Sequence, residues 1–97
     1  MPIVAVMQGG TLTRELYDKA APKLTGGRPR MESAADWPVE GLLVHVTGET
    51  EQGFRIIDVW ESEEALGRFV EAITPILEEA GIKNDVETYE VHTLVRG

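Results

Sequence analysis

Apolar positions divide the chain into six regular segments separated by polar or glycine-rich stretches. Residues 2–8, PIVAVMQ, form a short apolar run closed by Gly9-Gly10, the pattern of a buried strand and a turn. Thr11 or Thr13 can cap a following helix that carries Leu12, Leu16, Tyr17 and Ala20 on one side, with Pro22 at or just beyond its end. Residues 42–47, LLVHVT, and 54–60, FRIIDVW, are β-rich, and GETEQG between them predicts a hairpin. Ser62 caps a second helix, with Glu63 and Glu64 where the helix dipole favours acids. Leu66, Phe69, Val70, Ile73, Leu77 and Ala80 recur at helical spacing and predict one core-facing stripe. Pro75 predicts a kink or a restart with Thr74 as a second cap, and Gly81 a stop. Residues 86–95, VETYEVHTLV, alternate as a last strand.

The order β-α-β-β-α-β predicts an α+β, ferredoxin-like domain over residues 1–97. Right-handed crossovers give a four-stranded antiparallel sheet with both helices on one face and the first and third strands central. Strict alternation puts Leu42, Val44 and Val46 on one face of the second strand and Leu43, His45 and Thr47 on the other. In the third strand Phe54, Ile56, Asp58 and Trp60 share a face. Both sheet faces therefore hold apolar residues, while two helices can cover only one. A sheet-to-sheet homodimer is the simplest way to cover the second. Residues 22–41 hold three prolines and three glycines without a period, a long loop of the kind found in lids, binding loops and mobile linkers. Within it MESAADW can form a helical turn.

Composition narrows the partners. With no cysteine among 97 residues, neither disulfides nor thiolate chemistry contributes. A net charge of −8 argues against nucleic acid. No apolar run is long enough for a membrane span, and MPIVAVMQGG lacks the basic start of a signal peptide, so a cytoplasmic location is expected. Basic residues cluster early (Arg14, Lys19, Lys23, Arg28, Arg30), which reads either as ordinary surface variation or as a patch for a small anion.

The stretch VWESEEALGRFV resembles the strand-to-helix junction of the dimeric α+β barrel superfamily, nearest its antibiotic-biosynthesis-monooxygenase-like branch, through Trp60, Ser62, Ala65, Leu66 and Phe69. The preceding GLLVHV is similar to small bacterial members as well. The resemblance implies a homodimer whose sheets close into a barrel, with a pocket between sheet and helices in each protomer. Haem-degrading members use an asparagine on the first strand and a histidine on the second helix. Here the first strand ends in Gln8 and residues 61–81 hold no histidine, so no haem or other cofactor is expected. The quinone-forming members need only a pocket that binds an electron-rich phenol, deprotonates it and admits oxygen.

Candidate residues follow. Trp60 either stacks on a flat ligand, as the resemblance implies, or plugs the core end. Asp58, two residues earlier on the same face, is either a base or a salt-bridged acid near Arg55 or Arg68. His45 and His92 are the only histidines, and they sit on opposite edge strands, roughly 14 Å apart, too far for a dyad within one chain. Each is a pocket group or a plain sheet residue. Their spacing supports no metal site. Gly9-Gly10 lacks any phosphate-loop pattern and reads as a turn. The expectation is a small aromatic or polyketide-like ligand bound by Trp60, Trp37, Phe69, Arg28 and His92, with Asp58, His45 and Tyr17 as catalytic groups. Cofactor-independent oxygenation of a phenol is the leading reading. A cyclase or isomerase using His45 and Tyr17, and a binding protein without turnover, are the alternatives.

Overall fold

A computed structural model describes residues 1–27, 37 and 39–95. Its elements run β1 (Ile3–Gln8), α1 (Arg14–Leu24), β2 (Leu42–Thr50), β3 (Gly53–Trp60), α2 (Glu63–Ala80) and β4 (Asp85–Glu90). The sheet order is β2-β3-β1-β4, antiparallel throughout, with β3 and β1 central.

Both helices start where a hydroxyl can meet their first free N–H groups. Thr13 Oγ1 accepts from Leu16 N at 3.2 Å, and Ser62 Oγ accepts from Ala65 N at 3.1 Å. Gly81 ends α2 at φ 74°, a left-handed position where glycine carries no Cβ penalty. Thr11 ties the turn after β1 to that end. Its hydroxyl donates to Gly81 O at 2.7 Å and accepts from Lys83 N at 2.8 Å.

Three expectations need correction. Pro22 lies inside α1, which continues to Leu24, so the loop begins later than residue 22. Pro75 does not restart α2, which runs as one helix from Glu63 to Ala80, and the Thr74 hydroxyl donates back to Val70 O at 2.6 Å instead of capping a second helix. Each proline forfeits one helical hydrogen bond, but the carbonyls left over belong to Asp18 and Glu71, exposed residues whose backbone water can reach. Finally, β4 stops at Glu90, short of residue 95. Val91 N donates to Pro2 O, and Pro2 has no N–H to carry the ladder further. The helical turn expected over MESAADW falls almost wholly outside the described residues.

Register decides what each face carries. Ile3, Ala5 and Met7 lie beside Phe54, Ile56, Asp58 and Trp60 under the helices, and Val86, Thr88 and Glu90 continue that face onto β4. The opposite face carries Val4, Val6, Val44, Val46, Ile57, Val59 and Tyr89. Two clusters fill the space under the helices. One centres on Trp60, Phe69, Trp37 and Leu42, the other on Met7, Phe54, Ile56 and Leu12.

The face assignment in β2 differs from strict alternation. Leu42 pairs with Trp60 and Val44 with Val59, so Leu43 is an extra residue, a β-bulge. Past it the phase is reversed. His45 joins Leu42 on the helix side, directly opposite Asp58, and Val44 turns to the other face. Gly41 positions the strand entry. At φ 109° its missing Cβ would sit 2.6 Å from Ala65 Cβ, and its carbonyl accepts from Glu61 N at 2.8 Å.

Candidate functional site

The bulge delivers His45 to a buried carboxylate. Asp58 is 0 % exposed, and its Oδ1 accepts from His45 Nδ1 at 2.6 Å. Neither Arg55 nor Arg68 pairs with it: Arg55 Nε donates to Gln8 Oε1 at 2.9 Å. On the other side of the imidazole, Nε2 lies 2.7 Å from the Tyr17 hydroxyl, which α1 brings down over the sheet. Tyr17, His45 and Asp58 thus form one hydrogen-bonded chain from three elements.

Its polarity follows from the end groups. A carboxylate only accepts, so His45 Nδ1 carries a proton toward Asp58. In the neutral ring Nε2 is then an acceptor, and the Tyr17 O–H donates to it. Burial, reinforced by the negative charges of Asp58 and then Asp18, pushes the Tyr17 phenol up to about 12 from its ordinary 10.0. Tyr17 therefore remains a donor at neutral pH. Asp58 orients the imidazole and supports the charge it gains on taking a proton, which is the arrangement of a general base held by a third group.

Aromatic rings close over this chain. The Trp37 ring lies 4.7 Å from that of His45 and is stacked 5.5 Å from Phe69, which in turn lies 4.7 Å from Trp60. Trp37 Nε1, Trp60 Nε1 and Asp58 Oδ2 are buried without a partner among the described residues. Beside Trp37, Tyr17 and His45 is a cavity of about 30 Å³, walled otherwise by Asn84 and by apolar residues such as Leu12, Ala20 and Ile56. A larger groove of about 330 Å³ opens beside it, between α2 and the β1–β4 half of the sheet, with Ala5, Leu66, Val70 and Val86 in its walls and Lys83 at its rim. Met7, Phe69, Ile73, Leu77, Ile82 and Asn84 border both spaces.

The residues selected from sequence separate into groups. Tyr17, His45 and Asp58 meet directly, with Trp37 and Phe69 packed around them. Trp60 stands behind Phe69, fully buried, in the wall of neither the cavity nor the groove. His92 is exposed beyond β4, where its Nδ1 lies 2.8 Å from Thr93 Oγ1. Arg28 lies outside the described residues. Sequence reasoning missed the groove and its Val86, Lys83 and Val70 walls. Alternation in β4 placed Val86 on the same strand as the rest, but nothing in the pattern indicates that α2 leaves this half uncovered. Among the described residues no three His, Asp or Glu side chains converge as a metal site, and no helix is long and apolar enough to cross a membrane.

Neither a family model nor a curated protein matches the chain. Solved structures do. A "putative monooxygenase" from Shewanella loihica PV-4 superposes with a TM-score of 0.59 at 14 % identity, covering 96 % of both chains. A dimeric ferredoxin-like protein from an uncultured marine organism gives 0.54 at 18 %, covering 99 % of this chain and 92 % of the other. A conserved protein of unknown function from Bacteroides thetaiotaomicron VPI-5482, described as a "possible oxidoreductase", gives 0.50 at 16 %, covering 91 % and 90 %. The chain has the ferredoxin-like α+β fold of these proteins, and at such identities the likeness speaks for the fold alone.

Proposed function

We propose that this protein is a cofactor-independent monooxygenase acting on a phenolic or polyketide-like substrate. The observation that carries the reading is the Asp58–His45–Tyr17 chain beneath apolar aromatic walls. A phenol, or its keto tautomer with an acidic CH₂, enters from the groove, which is within the size range of small-ligand sites. The groove shares the wall of Met7, Phe69 and Ile73 with the cavity that Tyr17 and His45 line, and where the two meet the substrate's acidic proton goes to the Tyr17 hydroxyl as that hydroxyl passes its own to His45 Nε2, while Asp58 supports the imidazolium. The electron-rich anion then reacts with dioxygen. A C–O bond forms, giving a hydroperoxide. Loss of the second C–H proton breaks the O–O bond and yields a carbonyl and water, so that CH₂ and O₂ become C=O and H₂O. An apolar site suits both the flat substrate and O₂. The similar Shewanella and Bacteroides proteins, described as a monooxygenase and an oxidoreductase, support this reading.

The functional unit is a homodimer. The face away from the helices leaves Val46 52 % and Tyr89 51 % exposed beside Val44 and Ile57, an apolar surface a second copy can cover. One structural relative is itself a dimer. Sedimentation should give a species of twice 10.7 kDa.

A second reading rests on one specific contact. Tyr17 and His45 are already paired as a proton donor and acceptor at 2.7 Å, which is what an isomerase or cyclase requires. An oxygen electrode separates the two, with a dihydroxyanthrone as probe. The oxygenase consumes one O₂ per quinone formed. Exchange of the probe's acidic C–H for solvent deuterium without oxygen uptake would instead support the isomerase, and neither change would remove both.

A further inference from the structure

The two spaces beside the relay differ about tenfold in volume, and that difference assigns them different occupants. The groove, at about 330 Å³, can hold a multi-ring organic molecule. The inner cavity, at about 30 Å³, has room for a water or another small molecule such as a diatomic gas. Its chemistry favours the gas. The walls are apolar, from Leu12 at the start of α1, Ala20 within it, Ile56 on β3 and Ile73 on α2. Of its polar groups, the Tyr17 hydroxyl and His45 Nε2 are engaged with each other and one Asn84 N–H with Asp85 O at 3.1 Å, while the Trp37 Nε1–H has no partner among the described residues. A buried water wants two to four partners, whereas small apolar cavities stay dry and take up apolar atoms.

We infer that this inner cavity is the dioxygen site, separate from the organic-substrate groove and joined to it along the shared wall of Met7, Phe69 and Ile73. The inference rests on the oxygenase reading. Neutral O₂ needs no hydrogen bond, but it gains negative charge once the substrate anion passes an electron to it. Trp37 forms part of the cavity wall, and its Nε1–H is a buried donor with no acceptor among the described residues. A donor unspent in the resting state and engaged only as charge develops stabilises the reduced oxygen selectively.

Two measurements test it. Crystals of the wild-type protein under xenon pressure should show one xenon atom between Ala20, Ile56 and the Tyr17–His45 pair. A water there, bonded to Trp37 Nε1, with no xenon, overturns the assignment. Independently, filling the cavity with Ala20→Leu, or from the sheet side with Ile56→Phe should the first fail to fold, should raise the KM for O₂ about tenfold or more. The KM for the dihydroxyanthrone probe should stay within a factor of about two, since neither residue borders the groove. Wild-type O₂ dependence in a folded, filled variant overturns the inference while leaving the oxygenase reading intact. Absence of oxygen uptake by the wild type overturns the oxygenase reading and the inference with it.

Discussion

The two edges of the sheet each present one histidine, and their fates diverge. On β2, His45 sits under α1 and Trp37, with a partner on each ring nitrogen. Past β4, His92 is exposed and, among the described residues, its ring meets Thr93. All six residues of β4 are exposed, whereas β2 and β3 carry the buried Leu42, Asp58 and Trp60. One edge is roofed and the other leaves a groove. What distinguishes the two histidines is therefore cover and a buried counter-charge, neither of which residue type reveals.

The contrast yields predictions at different scales. Trp60 is fully buried at the roofed edge, and Trp60→Ala should cost about 3–5 kcal/mol in denaturant unfolding. Asp58→Asn removes the charge that faces His45 Nδ1 and should cost about 1.5–3 kcal/mol of stability, together with most of the turnover. An Asp58→Asn protein as stable and active as wild type would reduce the carboxylate to filler.

Tyr17→Phe should be milder, about 0.5–1.5 kcal/mol, because His45 Nε2 loses its donor. Its clearest signature is in pH. The Tyr17 phenol releases its proton near 12 in the fold and near 10 when unfolded. Across that window the unfolded chain loses a proton that the native protein keeps, so stability is full below pH 10 and falls as pH rises to 12. Tyr17→Phe should flatten this part of the curve. Ultraviolet titration of wild type against the variant should place the missing phenolate transition near 12, and a difference transition at 10 would contradict the burial argument. At the bare edge, His92→Ala should change stability by less than about 0.5 kcal/mol.

Much of this architecture is legible in the sequence because it follows from period. The two-residue alternation in β3 and the helical stripe from Leu66 to Ala80 each identify an element and its inner face. Tyr17, His45 and Asp58 can each be selected as residues with useful chemistry, yet their union cannot be read. It depends on Leu43 being an extra residue, which reverses the phase of β2 after Leu42. Apolar Leu42, Leu43 and Val44 in succession fit either phase, and only pairing with Trp60 and Val59 decides between them. Likewise Pro22 and Pro75 signal helix ends in isolation, but packing of α1 against α2 and exposed carbonyls carry the helices through. The groove beside β4 is a consequence of where α2 lies, a tertiary fact with no local signature.

The measurement that bears most directly on this account is oxygen uptake with the dihydroxyanthrone probe, comparing His45→Ala with His92→Ala. The relay predicts a fall of about 10²–10⁴-fold for the first, the usual contribution of a positioned general base, and a wild-type rate for the second. Equal rates in the two folded variants would mean that the Asp58–His45–Tyr17 chain holds the protein together without doing its chemistry.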